Sequence, residues 1–440
     1  MKKKLLKLKI NQQWKKAKQL IPGGTQLLSK GSERFLPEYW PAYFKRAKGV
    51  MITDMENNTY IDMSIMSVGS CTLGYADADV NRAVKKVIDA GSMATLNSPE
   101  EIALAEVLTK MHPWADMVRY ARTGGEACAI AVRIGRAYTK KDTVAFCGYH
   151  GWSDWYLSTN LSNDKHLDGQ LLPGLKPSGV PRGLKGSAIP FQYNHIEELE
   201  KIVRKHKVGV IIMEPIRHQE QKNNFLKKVR AIADRVGAVL IFDEVSAGFR
   251  LTVGGSHLLY GVNPDIAVFG KAMSNGYPMS AVIGRKKIMD IAQESFISST
   301  YWSERIGPTA ALATIKKMKA KNVPQYLVKI GNVIGAGWKK LAQKHGLNIE
   351  VHGPYSLVNF KFLYPEPLVL KTLFTQEMLK RGFLASLGVY VSYSHQQKHV
   401  RSYLESVDEV FGIIAHAIKN KNAHTLLKGP VAHSDFRRLT

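Results

Sequence analysis

Cysteine is scarce in this chain. There are three, Cys71, Cys128 and Cys147, in 440 residues, and none sits in a C-x-x-C pair. Three thiols cannot build a disulfide framework, and they read as buried side chains of a protein kept in a reducing compartment. Long hydrophobic runs are also missing, since no stretch approaches the ~20 apolar residues that span a bilayer. The N-terminus, MKKKLLKLKINQQWKKAK, is basic but has no apolar segment of useful length, because Lys7 and Lys9 interrupt it. A soluble cytoplasmic protein with no membrane partner is expected. Repeats and low-complexity segments are absent. Acidic residues are in the minority, 36 Asp and Glu against 62 Lys and Arg, for a net charge of +26. The basic residues are spread along the whole chain, not gathered in one tract with interleaved aromatics. The excess therefore fits a generally basic surface or an anionic small substrate better than nucleic acid.

What is present is ordinary for a globular protein: 45% hydrophobic and 22% charged residues, which excludes extended disorder. The length suggests two or three domains at ~100–200 residues each. Residues 1–20 carry Leu5, Leu8 and Trp14 between lysines and predict a basic helix, broken by Pro22–Gly24. A β-rich stretch follows, with Asn57-Asn58 as a hairpin turn. From Val80 the apolar spacing becomes helical (Val80, Ala83, Val84, Val87, Ile88), closed by Gly91, and residues 99–111 repeat it. Short apolar runs then alternate with helical segments: MVRYA (117–121), TVAFCGY (143–149), GVIIME (209–214), AVLIFDEV (238–245), DIAVFG (265–270) and SAVIG (280–284). That alternation predicts a mostly parallel sheet covered by helices on both faces. The Gly/Pro-rich stretch 152–190 reads as an irregular active-site loop. From about Thr314 a long helical connection leads to a smaller α/β unit ending near Lys419, and the tail after Asn420 shows no periodicity.

In a parallel α/β sheet, ligands bind at the carboxyl ends of the strands, and four polar constellations fall there. After MVRYA comes TGGEACAIAVRIGRAY, in which Gly124 and Gly125 allow close backbone approach at a helix start suited to phosphate; alone, it is equally an ordinary turn. Gly148-Tyr149-His150-Gly151-Trp152 puts an aromatic at a strand end, either to stack on a planar ligand or simply to pack. His150 by itself reads as a hydrogen-bonded structural histidine. IFDEVSAGFR (241–250) places an Asp-Glu pair after four apolar residues, where one carboxylate should face a protonated group. VFGKAMSNGYP (268–278) sets Lys271 directly after a strand, where apolar surroundings turn a lysine into a nucleophilic amine suited to a Schiff base. Phosphate cradle, stacking aromatic, buried carboxylate and post-strand lysine, in that order, are the fittings of pyridoxal phosphate.

At these residues the chain resembles the class III (subgroup II) aminotransferases of the fold-type I pyridoxal-phosphate superfamily, and within them the glutamate-1-semialdehyde aminomutase-like proteins. The likeness runs through AKQLIPGGTQ, RAKGVMITDMENNTYIDM, YHGWSD, GLKPSGVPRG, MEPI, LIFDEVSAGFR, PDIAVFGKAMSNGYPMSAVIGR, GPTAALAT, EMLKRGFLAS and YSHQQKHV, roughly residues 10–415. It implies an α/β fold with a mostly parallel seven-stranded sheet in a large domain (79–315). A smaller α/β domain would be drawn from both chain ends (1–78 and 316–420), with a tail at 421–440. It implies that Lys271 is the catalytic lysine, forming the Schiff base and moving the proton. Asp243 pairs with the pyridine nitrogen, and Val245 packs under the ring opposite Tyr149, with His150 beside them. Gly124, Gly125 and Thr123 hold the phosphate, Glu214 lines the cofactor side, and Thr300 reaches the phosphate of a neighbouring subunit, so that a homodimer shares its active sites. Amino donor and carbonyl acceptor would be small molecules, with pyridoxamine phosphate between the two half-reactions and no metal.

The departures concern the substrate side. Lys30 stands where the aminomutase has an arginine for the substrate carboxylate, and lysine offers a point charge in place of a bidentate fork. Val68 stands where it has a pocket-wall tryptophan. The segment before Pro308 is longer and adds Trp302, Glu304 and Arg305 near the subunit boundary. A re-lined pocket favours an aminotransferase for a different, anionic carbonyl compound over glutamate-1-semialdehyde. An intramolecular aminomutase is the alternative on the same residues, and a nucleic-acid-binding protein on a degenerate fold is the reading from another class, opposed by the intact Lys271 and Asp243.

Overall fold

The turn expected at Asn57-Asn58 is present in the computed structural model, which describes residues 10–170, 173–216, 220–353 and 355–434. Strands β1 (Phe44–Lys48), β2 (Met51–Asp54) and β3 (Thr59–Met63) pair antiparallel in sequence order. The Asp54 carboxylate accepts from the Asn58 N–H at 2.8 Å, and Asn57 takes φ 65° to close the hairpin. The chain divides into two compact units, residues 78–325 and residues 1–77 with 326–440.

Within 78–325, the expected helices appear as Ala78–Asp89 and Pro99–Met111. Seven strands follow: β4 (Met117–Ala121), β5 (Thr143–Cys147), β6 (Ala188–Pro190), β7 (Val208–Met213), β8 (Val239–Asp243), β9 (Ile266–Phe269) and β10 (Ser280–Gly284). They form one sheet in the order β4-β10-β9-β8-β7-β5-β6, in which β10 alone runs against the rest. Both faces are covered, so the central strands are mostly apolar runs, as the sequence indicated, while the outer β4 carries Arg119 and is half-buried. Val144, Phe146, Val210, Ile212, Val239 and Ile241 pack on one face with Ala127, Ile130, Ala131 and Ile134 of the helix Gly124–Thr139. The alternate residues Ala145, Cys147, Ile211, Met213, Leu240 and Phe242 pack on the other face with Leu199, Ile202, Val229 and Ile232 of the helices Ile196–Lys205 and Phe225–Val236.

The stretch 152–190 departs from the irregular loop expected of it. It contains a short helix, Asp154–Leu157, and ends in β6, whose three residues add the outermost strand of the sheet. Proline is tolerated there because an edge strand needs no second row of ladder hydrogen bonds. Leu171 and Leu172 lie outside the described residues. The helical connection expected from Thr314 begins earlier, as Ile306–Ala320, and resumes as Val323–Lys344 after Asn322 at φ 47°.

In the other unit, β11 (Ile349–His352), β12 (Leu357–Phe362) and β14 (Gly388–Tyr390) form an antiparallel sheet. Strand β13 (Phe383–Ala385) joins the hairpin sheet parallel to β3. Trp338, Phe360, Phe374, Tyr403 and Phe411 are buried together, with Trp338 and Phe360 ring centroids 4.8 Å apart. The described part of the expected N-terminal basic helix is Ile10–Leu20; residues 1–9 lie outside it. It is fastened through Glu33, which accepts from Trp14 Nε1 at 2.8 Å and pairs with Lys18 at 2.5 Å. The C-terminal helix Gln397–Lys419 ends where expected, and the tail begins with a turn at Ala423–Leu426. Among the described residues no helix is long and apolar enough to cross a membrane.

Candidate active site

The carboxyl ends of β4, β5, β7, β8 and β9 carry the residues singled out in the central unit. After β4, Thr123 caps the helix Gly124–Thr139: its Oγ1 accepts from the Glu126 N–H at 3.4 Å, and the Glu126 carboxylate accepts from the N–H groups of Thr123 (2.8 Å) and Arg122 (3.1 Å). The N–H groups of Gly124 and Gly125 have no intrahelical partner in such a geometry, so they present positive potential at the helix start. Side chains are excluded here. A Cβ on Gly124 would lie 2.8 Å from Val245 Cγ1, and one on Gly151, at φ 97°, would lie 2.7 Å from Gly125 Cα. Trp152 lies beside Gly125, 3.3 Å from where its Cβ would stand.

After β5, Gly148 takes φ 122°, and its N–H donates to Gln170 Oε1 at 2.8 Å. The Glu214 carboxylate, after β7, occupies the space a Cβ on Gly148 would need and accepts from the Tyr149 N–H at 3.2 Å. The Tyr149 side chain is left 43% exposed, with a face available to a planar ligand. His150 is buried, and its Nδ1 donates to Asp243 Oδ2 at 2.8 Å.

Asp243 ends β8. Its Oδ1 accepts from the Val245 N–H at 3.0 Å, and its Oδ2 accepts from both His150 Nδ1 and the Cys128 thiol, the latter at 3.3 Å. The other acid of the pair, Glu244, is held separately. It accepts from Ser256 Oγ (2.7 Å), the His257 N–H (2.9 Å) and His257 Nδ1 (2.8 Å), while His257 Nε2 accepts from Trp114 Nε1 (3.1 Å). Both acids therefore face hydrogen-bond donors, where one was expected to. Among the described residues, Cys128, His150 and Asp243 are also the group whose ligand-type atoms cluster, all within 4.8 Å of one another.

Lys271 begins the turn after β9 at φ 41° and donates from Nζ to Ser246 Oγ at 2.7 Å. Burial, and after it the Arg250 guanidinium, push its pKa down, against the opposing pull of Glu214 and Asp243. Arg250 is itself 1% exposed and donates to the Ser246 carbonyl at 2.8 Å. The geometry thus gathers Thr123, Gly124, Gly125, Tyr149, His150, Glu214, Asp243, Val245 and Lys271 at the carboxyl ends of the strands.

Three other expected residues of this unit stand apart from that set. Thr300 starts an exposed turn, Thr300–Ser303. Trp302 packs at the margin of the core beneath the helix Gly124–Thr139, and its carbonyl accepts from Arg122 at 2.9 Å. Arg305 is committed to Glu100 at 2.6 Å. Arg122 also donates to the Glu304 carbonyl and pairs with its carboxylate at 3.1 Å, tying the start of the glycine cradle to this segment. In the other unit, Lys30 is exposed at the end of the turn Leu28–Lys30, and Val68 (φ 55°) lies in a left-handed turn at Met66–Gly69.

Sequence reasoning missed Ser246, Arg250 and Gln170 and took Cys128 for a plain buried thiol. Ser246 and Arg250 lie inside IFDEVSAGFR, three and seven residues after Asp243, so the motif held them without showing that they turn back on Lys271. Cys128 follows Gly124 by one helical turn, a spacing that aims it at the same strand end.

The site suits pyridoxal phosphate: a side-chain-free cradle at a helix N-terminus for the phosphate, a buried carboxylate for a protonated ring nitrogen, and an amine with a depressed pKa. The family Aminotransferase class-III matches residues 37–404. The 3-aminobutyryl-CoA aminotransferase of Cloacimonas acidaminovorans (strain Evry) is 29% identical over 411 residues, covering 90% of this chain and 95% of its own length. A glutamate-1-semialdehyde 2,1-aminomutase of Fusobacterium nucleatum is 31% identical over 424 residues, covering 90% and 96%. The structure of the PLP internal aldimine form of the Sphingopyxis sp. MTA144 FumI protein superposes with a TM-score of 0.84 at 26% identity, covering 95% of this chain and 99% of that one.

Proposed function

This chain belongs to the class-III aminotransferases, and from that premise we propose how its residues divide the work of moving an amino group from a donor to a carbonyl acceptor. The observation that carries the reading is the meeting of a Lys271 amine of lowered pKa with a carboxylate, Asp243, held by three donors on the neighbouring strand end. Bound pyridoxal phosphate supplies an electron sink that lets a proton leave the carbon bearing the substrate amine. Lys271, its pKa lowered by burial and then by Arg250, would be the nucleophile that holds the cofactor carbonyl and the base that takes and returns that proton. Ser246 keeps the amine aimed while it is unattached. Asp243 would keep the ring nitrogen protonated, His150 fixes the orientation of Asp243, and Val245 and Tyr149 would pack against the ring. The N–H groups of Gly124 and Gly125, with Thr123, hold the phosphate, and Glu214 sets the backbone of Tyr149.

The working form in this reading is a homodimer. Trp152 (71% exposed) and Phe296 (90% exposed) stand beside a cavity of about 740 Å³ that Trp155, Ile297 and Trp302 also line, a large aromatic surface for a protein to leave in water. A second copy covering it would bring Thr300 to its partner's phosphate. A cytoplasmic location agrees with three free, buried cysteines. The substrate in this reading is anionic, and Lys30 and Val68 hold the positions where the resemblance expects substrate contacts. Arg305 contributes by fixing its own segment, since its guanidinium is spent on Glu100. The intramolecular aminomutase alternative draws on the same residues and has no observation of its own in its favour.

A single-turnover spectrum tests this. The yellow holoenzyme is mixed in turn with glutamate, alanine, β-amino acids, ω-amines and diamino acids. Loss of the yellow band with one equivalent of oxo product released supports the aminotransferase and names the donor class. Band changes with diamino acids alone, and no product released, would contradict it.

A further inference from the structure

Asp243 Oδ2 has two donors of unequal strength. His150 Nδ1 lies at 2.8 Å, the usual distance for a donor to a carboxylate, while the Cys128 thiol lies at 3.3 Å. All three side chains are buried, at 1%, 1% and 4% exposure for His150, Cys128 and Asp243, so water does not compete for the carboxylate. The His150 orientation is fixed by its surroundings: its ring stacks at 6.2 Å on Trp155 and meets Phe146 and Tyr156 edge-on. The adjustable partner is therefore Cys128. Its helix position is set by the packing of Ala127, Ile130 and Ala131, and burial together with Asp243 pushes the thiol up, so it stays protonated and can only donate.

We propose that Cys128 is a positioning residue that sets the basicity of Asp243, a deliberately weak second donor that leaves the carboxylate able to hold a ring-nitrogen proton firmly. This rests on the reading that Asp243 faces that nitrogen. A sulfur donor is a weaker partner than an oxygen or nitrogen donor, because S–H is weakly polarised. It fills the space beside Oδ2 and keeps water out without quenching the negative charge. The other charged or titratable groups around the carboxylate are Lys271 and Arg250 on the cationic side and Glu214 and Tyr149 on the acidic side, each contributed by a separate strand end or the loop after it. None of these donates to Asp243 in place of Cys128.

The consequence is readable without turnover. The absorbance of bound pyridoxal phosphate titrates with the nitrogen through which Lys271 holds it, and a firmer positive charge on the ring lowers that midpoint. Cys128→Ala removes a donor, makes Asp243 more basic and is expected to move the midpoint down by a few tenths of a pH unit. Cys128→Ser restores an oxygen donor and is expected to bring it back to the wild-type value or above. A space-filling role alone would move neither, or both in one direction. Equal midpoints in Cys128→Ala and Cys128→Ser holoenzymes would overturn the proposal. Asp243→Asn, run beside them, separates the two claims. If it shifts the midpoint further than either Cys128 variant, the reading of Asp243 stands whatever Cys128 does. If it leaves the titration unmoved, that reading fails first. Folding of each variant is checked by its circular dichroism and melting temperature before titration.

Discussion

Lys271 Nζ lies 2.7 Å from the hydroxyl of Ser246, twenty-five residues earlier in the chain, and this bond ties the amine to the segment that follows β8. The lysine sits among Asp243, Glu214 and Arg250; the two carboxylates would draw it and the guanidinium would push it elsewhere were Ser246 absent. Ser246→Ala is therefore expected to keep the cofactor and its absorbance but to lower kcat by up to about tenfold, the worth of one neutral hydrogen bond. Steady-state rates with a saturating donor check it; an unchanged kcat would remove Ser246 from the account.

The glycine cradle makes a second prediction. Gly151 is at φ 97°, and its Cβ would stand 2.7 Å from the Gly125 backbone, which cannot give way as a flexible side chain could. Gly151→Ala should lose about 1–3 kcal/mol of stability from the backbone strain alone. It should also weaken cofactor binding, because the atom displaced belongs to the proposed phosphate-holding turn. Thermal melts of the cofactor-free protein report the first effect, and titration with pyridoxal phosphate reports the second.

Lys371 gives a pH dependence independent of catalysis. Burial, and after it the nearby Arg34, push its pKa down to about 8, and its Nζ donates to the Arg34 carbonyl at 2.8 Å. The folded pKa lies below the unfolded value of about 10.4. Below pH 8 both states carry the proton, and the folded state bears the full cost of the buried charge. Between pH 8 and about 10.4 the unfolded state binds more protons, so this lysine adds stability as pH rises. Urea midpoints of wild type should climb relative to those of Lys371→Met across that window and run parallel below it. Parallel curves throughout would contradict the assignment.

Much of this was legible in the sequence, for physical reasons. Strands buried on both faces must be mostly apolar, so β5, β7, β8, β9 and β10 appear as runs in the primary structure. Strand β6 does not, since three residues ending in proline at a sheet edge carry no such signal. Lys271 and Asp243 could be found because strand ends put polar residues immediately after apolar ones. The partners of those residues could not. Cys128 meets Asp243 across 115 positions and Glu100 meets Arg305 across 205, and no local pattern encodes such pairings. The left-handed turn at Met66, Ser67 and Val68 was equally silent, because residues with a Cβ rarely adopt positive φ and nothing in their identity announces it.

The central claim is that Lys271, and no other of the many lysines, holds the cofactor. Borohydride reduction of the yellow holoenzyme, followed by digestion and mass spectrometry, measures this directly. The account predicts one pyridoxyl group per chain, on the peptide that contains Lys271, and none on the Lys271→Ala protein. A pyridoxyl group on any other lysine, or its retention in Lys271→Ala, would contradict it.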